Sequence, residues 1–227
     1  MDKRVIEAVE PFVQAGYPLD AAAVLIVELD GLAAGVADAV ERIKSIGADH
    51  GVRTVRVAKD DDERSRIWKG RKNAFGAIAH YAPDYYLHDT VIPRTRLAEV
   101  LTKIYEVVEE RQLMVMNVFH AGDGNLHPLM VFDAREPGVM ERVLDAGEEI
   151  VRISVEAGGV LSGEHGIGLE KKRFMHMQFS PADLEAQDKL RRAFDVRGLA
   201  NPAKVLPSGA SCGHVSNLGQ APEGTWV

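Results

Sequence analysis

The chain has 227 residues, 46% of them hydrophobic and 27% charged, enough to bury a sizeable core without staples or a partner. Asp plus Glu outnumber Lys plus Arg by 34 to 27, for a formal charge of −7 with no clustered basic run to offset it. That balance argues against nucleic-acid binding by phosphate neutralisation and against a polybasic membrane anchor.

The N-terminus has no apolar signal core, and the longest apolar run, Ala21 to Val27, is far too short to span a membrane. The lone cysteine, Cys212, excludes an internal disulfide and a cysteine-built zinc site. A cytoplasmic protein is expected.

In chain order, Ala22 to Asp30 is a short, β-branched apolar run stopped by Gly31 and reads as a buried strand. Leu32 to Gly51 carries Val36, Val40, Ile43 and Ile46 at helical spacing, the pattern of an amphipathic helix. Val52 to Val57 alternates apolar with Arg or Thr and reads as a half-buried strand. The run Asp60 to Glu63 suits a solvated helix start better than a metal site. That helix is expected to reach about Tyr81 before Pro83 ends it.

Tyr85 to Ile92 reads as a strand and Thr95 to Gln112 as an amphipathic helix. Two strands follow, Met114 to His120 and Leu126 to Phe132, separated by a glycine-rich turn that signals a hairpin. Further helices are expected over Glu136 to Ala157 and over Ser180 to Arg197, with Ser180 as N-cap and Pro181 at the first helical position. From Ser208 onward small residues predict a flexible tail. Helices mixed with an antiparallel hairpin favour an α+β fold.

The hairpin carries His120-Ala-Gly-Asp-Gly-Asn-Leu-His127. If residues 121 to 126 form the connection, His120 and His127 oppose one another with Cα atoms roughly 4.5–5.5 Å apart, and two imidazoles so placed can hold one metal ion. Gly122 and Gly124 would permit left-handed turn dihedrals. Two unrelated histidines flanking a glycine turn are an equally simple reading. A second cluster, Leu161-Ser-Gly-Glu-His-Gly-Ile-Gly168, adds Glu164 and His165. Neighbours in extended backbone point to opposite sides, so these two are expected to play different parts. Two histidines and a glutamate are a familiar ligand set for Zn²⁺ or Mn²⁺ with a position left open.

These two motifs, with Asn201-Pro-Ala-Lys-Val-Leu-Pro207, resemble in order and spacing the C-terminal half of the FAD-linked oxidases. The likeness is to the members that act as glycolate oxidases and as D-lactate or D-2-hydroxyglutarate dehydrogenases. The resemblance implies metal ligation by His120, His127 and Glu164, and proton abstraction from a substrate hydroxyl by His165. It implies carboxylate binding by Arg71, and proximity of Asn201 to the flavin.

The implied fold is an antiparallel sheet of duplicated ferredoxin-like halves with helices on one face, plus a C-terminal helical segment. It divides into residues 1–133, a substrate region, then 134–207, a helical part with the Gly-Glu-His-Gly motif, and the tail 208–227. Two departures stand out: Leu87 occupies a position where dicarboxylate-specific members have lysine, and Leu129 one where they have asparagine. No dinucleotide-binding glycine motif is found. The chain is therefore expected to begin after the family's FAD-binding domain and to be inactive alone.

The implied activity is oxidation of a small 2-hydroxy monocarboxylate such as glycolate or D-lactate, with hydride passing to FAD and a divalent metal polarising the substrate. Expected partners are the chain's own FAD-binding domain and electron-transfer subunits, through which it would meet a membrane. Two rival readings are a metal-dependent hydrolase, which would act without flavin, and a non-catalytic module of an electron-transfer complex. Trp68, Phe75, Met114, Met116 and Met130 are expected to pack. His80, His88 and His176 are expected at the surface or satisfied by partners.

Overall fold

A computed structural model describes residues 1–207, so Cys212 and the expected tail lie outside the described residues. Asp2 starts the first helix, α1 (Lys3–Val13), its carboxylate accepting from the Val5 N–H at 3.0 Å. The apolar spacing of Val5, Ile6, Val9 and Val13 gives this helix one buried face. Helix α2 (Ala33–Asp49) forms where the periodicity predicts it. In α3 (Asp61–Lys72), Asp60 caps the start, and acidic residues open and basic residues close the helix in accord with its dipole. The helix expected to continue to Tyr81 breaks at Asn73 and resumes as the short α4 (Ala74–Ile78).

The strand expected over Tyr85 to Ile92 divides at His88–Asp89 into β1 (Asp84–Leu87) and β2 (Thr90–Val91). Then come α5 (Leu97–Glu110), β3 (Met114–Asn117), β4 (Asn125–Leu126), β5 (Pro128–Phe132) and α6 (Val139–Glu156). A short turn of helix, α7 (Met175–Gln178), precedes α8 (Pro181–Phe194), where Ser180 and Asp183 form a reciprocal capping box at the expected N-cap.

β1, β5 and β3 form an antiparallel sheet in that order, while β2 pairs with β4 beside it. All five residues of β5 are buried, because helices cover both faces of this sheet, not one. On one face Met116, Leu129 and Val131 pack with α1 and α4; on the other Val115, Met130 and Phe132 pack with α5 and α6. A continuous apolar run such as Leu129 to Phe132 needs that double cover. A third cluster joins Val151 and Leu161 to Phe174, Met175 and Leu184.

The fold is α+β, but residues 22–30 and 52–57 form no strand ladder among the described residues. The alternation at 22–30 is still expressed: Val24 and Ile26 pack on the first core while Leu25 and Val27 face solvent. Its backbone bonding is confined to the N-terminus, through mutual bonds between Met1 and Val24 and a bridge from Asp2 to Ala23. In 52–57 the side chains of Val52, Val55 and Val57 are exposed. Without a neighbouring strand to receive their N–H and C=O groups, these apolar patterns do not become sheet.

Candidate metal and substrate site

One hairpin register runs from the pair Met114 and Val131 through Asn117 and Pro128 to an isolated bridge between His120 and Asn125. His120 therefore opposes Asn125, not His127. Residues two apart on a strand share a face, so His127 lies diagonal to His120 on the same side. Their rings still meet edge to face at 5.5 Å. Gly124 adopts the expected left-handed dihedral (φ +72°), whereas Gly122 needs none.

β2 brings the second motif to the hairpin. Val91 pairs with Asn125 on one side and exchanges backbone hydrogen bonds with Val160 on the other. Just beyond Val160, a Cβ on Gly163 would lie 2.6 Å from the side chain of buried Asn125, so only glycine allows this approach without displacement. The glycine-rich segment thus packs against the hairpin itself.

Four of the candidate side chains converge there. Glu164 Oε1 lies 3.0 Å from His127 Nε2, 3.8 Å from His120 Nε2 and 3.7 Å from His165 Nε2. The His165 ring stacks on His127 at 5.1 Å and 11°. Glu164 and His165 consequently face the same centre, contrary to the alternation expected of extended backbone, because residues 162–166 turn. His127 is buried, while His120, Glu164 and His165 are each about half exposed, leaving the cluster open on one side. Burial holds His127 below the usual histidine range, and a metal requires the neutral imidazole.

The turn forms around Asp89, which is fully buried at the break between β1 and β2. Its carboxylate accepts from Ser162 Oγ (2.6 Å), from the N–H groups of Gly163 (3.0 Å), Glu164 (3.2 Å) and His165 (2.9 Å), and from Lys171 Nζ (3.2 Å). Burial opposes ionisation, but the bonds from Ser162 and His165, together with Lys171, overcome it and hold the carboxyl well below the usual range. Lys171 also donates to the Asp89 carbonyl at 2.6 Å.

Two triads have ligand atoms within 4.8 Å of one another: His120, His127 and Glu164, and Asp89, His127 and His165. Tetrahedral Zn²⁺ sets neighbouring ligand atoms about 3.3 Å apart, so either triad would have to draw in by up to about 1.5 Å to hold an ion. Donor chemistry separates them. The lone pairs of Asp89 are already engaged, whereas Glu164 offers a carboxylate with no other side-chain hydrogen bond among the described residues. The first triad fits a divalent ion; the second does not. A cleft of about 470 Å³ beside Trp68 lies elsewhere, along α3, and contains no histidine.

Arg71 closes α3. Its guanidinium is half buried, makes no hydrogen bond or ion pair among the described residues, and is near enough to feel the charge of Glu164. Asn201 is exposed and left-handed (φ 47°); no contact joins it to the histidines among the described residues, although Val205 ties its segment to Gly168 at 2.8 Å. Leu87 and Leu129 pair across the sheet and pack into the first core, so neither supplies a polar group here. Trp68 lines the cleft along α3, Phe75 and Met116 pack on the first core and Met130 on the second, and Met114 is partly exposed. His80 stacks on Phe12 and His176 is exposed. His88 corrects its expectation: it is buried, and neither ring nitrogen has a partner among the described residues. Asp89, Ser162 and Lys171 receive no role from the sequence motifs. The available signal is a charged residue inside an apolar strand pattern.

Comparison with known proteins agrees with the motifs. The family described as FAD linked oxidases, C-terminal domain, matches residues 1–205. The chain is 47% identical over 212 residues to the glycolate oxidase subunit GlcD of Escherichia coli strain K12, covering 93% of this chain and 42% of that protein. It is 32% identical over 210 residues to the GlcD of Bacillus subtilis strain 168, covering 92% and 45%. To a probable mitochondrial D-lactate dehydrogenase of Danio rerio it is 29% identical over 208 residues, covering 91% and 41%. The chain spans less than half the length of these relatives. From its matched residues and its identity to these proteins, the chain belongs to the C-terminal domain family of the FAD-linked oxidases.

Proposed function

We propose that this chain is the substrate- and metal-binding part of an FAD-dependent D-2-hydroxy acid dehydrogenase acting on a small monocarboxylate such as glycolate or D-lactate. The observation that carries the reading is the convergence of His120, His127, Glu164 and His165 on one half-open centre, with the Arg71 guanidinium, unpaired among the described residues, near it. An open side suits a centre that admits substrate, as catalytic sites do, better than a closed structural one.

His120, His127 and Glu164 would hold Zn²⁺ or Mn²⁺. When bound, such an ion supplies Lewis-acid polarisation of a substrate oxygen, and FAD supplies the hydride acceptor. His165 takes the proton of the 2-hydroxyl on Nε2, which lies on the same side as the ligand atoms. Arg71 binds the carboxylate through paired N–H groups, orienting the α-carbon. Buried His127 and its neighbours restrict water on the hairpin side, while the half-exposed side receives substrate. Asn201 would lie beside the flavin, on a segment tied to the end of the glycine-rich loop. The GlcD relatives are named as subunits, and electron-transfer subunits are the corresponding partners here.

The test joins this chain to an FAD-binding domain and follows flavin reduction without oxygen. Glycolate or D-lactate should bleach the flavin, with D-2-hydroxyglutarate the poorest substrate because Leu87 and Leu129 offer its second carboxylate nothing. Arg71→Ala should lower kcat/KM by about 10- to 100-fold, the loss expected for a charge-assisted hydrogen bond. A preference for the dicarboxylate, or undiminished reduction in Arg71→Ala, would contradict the assignment.

A further inference from the structure

We infer that Asp89 is a positioning residue whose buried carboxylate folds the loop 162–166 so that Glu164 and His165 face the hairpin histidines together. This rests on the metal and proton-acceptor roles proposed above for those two residues. Adjacent side chains in extended backbone diverge. Here three consecutive N–H groups, those of Gly163, Glu164 and His165, point at one carboxylate. Backbone that turns three donors inward forms an anion-binding concavity, and its side chains splay outward on one side.

Ser162 locks the turn from both ends: its hydroxyl donates to Asp89 at 2.6 Å and accepts from the Gly166 N–H at 2.8 Å. Lys171, itself buried, supplies the countercharge that lets an ionised carboxylate remain in the interior. Asp89 sits at the break where β1 passes to β2, and β2 is paired with the hairpin. It thereby holds both halves of the centre in one frame while ligating nothing itself.

The experiment uses the full 227-residue chain and two readouts: hydrogen exchange at the amides of residues 163–165 without metal, and Mn²⁺ affinity. An asparagine keeps the shape but loses the charge and half the acceptor capacity. Asp89→Asn should speed exchange at these three amides selectively and weaken Mn²⁺ binding about 10- to 100-fold, the range for groups that orient metal ligands. Glu164→Gln should weaken Mn²⁺ binding yet leave the amide protection unchanged.

Ser162→Ala, which removes one donor from a partly buried site, should shift both readouts in the direction of Asp89→Asn by less, and it decides the matter if Asp89→Asn does not fold. Should the wild-type chain bind no Mn²⁺, the metal assignment fails, and the amide exchange alone decides the positioning role. Unchanged exchange in Asp89→Asn, or lost protection with unaltered Mn²⁺ affinity, overturns the inference.

Discussion

Burial leaves His88 wedged between the edge of Tyr86, 4.7 Å away, and Gly147, where even a Cβ would approach its Nε2 to 2.6 Å. Burial first, then the positive charges of Lys171 and Arg173, push its pKa down to about 3. The unfolded chain, titrating near the ordinary 6.5, binds this proton more readily. The stability contribution is therefore complete above about pH 6.5 and declines as pH falls toward 3. Between pH 6.5 and 5 the wild type should lose about 1.5 kcal/mol more than His88→Met, measured by urea unfolding. Equal losses in the two proteins would show that His88 takes up its proton in the folded state. The histidines and glutamate of the centre are legible in sequence because each motif is local. Asp89 is not, since its donors lie more than 70 residues further along the chain.

Among the elements, amphipathic helices are the most legible: α2, α5 and α6 express periodicities contained within their own sequence. Strands depend on neighbours that local sequence does not specify. Thus 22–30 keeps its inward and outward alternation without a ladder, and the apolar segment beginning at Tyr85 divides between two partners. The hairpin is evident in sequence but its pairing is not, because the tight turn over 121–124 opposes His120 to Asn125. Glycine placement offers a direct check at this level. Gly163→Ala forces a Cβ against the Asn125 side chain and should cost about 1–3 kcal/mol of unfolding free energy, as overpacking does. Gly122→Ala has open space around it and should stay within about 0.5 kcal/mol of wild type. Similar effects in both would mean that the approach of the loop to the hairpin is not tight.

At the scale of the whole molecule, a sheet covered on both faces anchors the hairpin, and β2 is the strip that carries the loop against it. The centre lies where the edge of β2 meets the end of the hairpin, half open, with Arg71 approaching from α3. Among the described residues no helix is long and apolar enough to cross a membrane. The function proposed for the centre depends on His120, His127 and Glu164 acting as one ligand set. Equilibrium dialysis of the metal-stripped 227-residue chain against Mn²⁺ or Zn²⁺, followed by elemental analysis, measures this directly. The expected result is one tightly held ion per wild-type chain and none in the His120→Ala/His127→Ala double variant. A wild-type chain that retains no ion, or a double variant with undiminished stoichiometry, would contradict it.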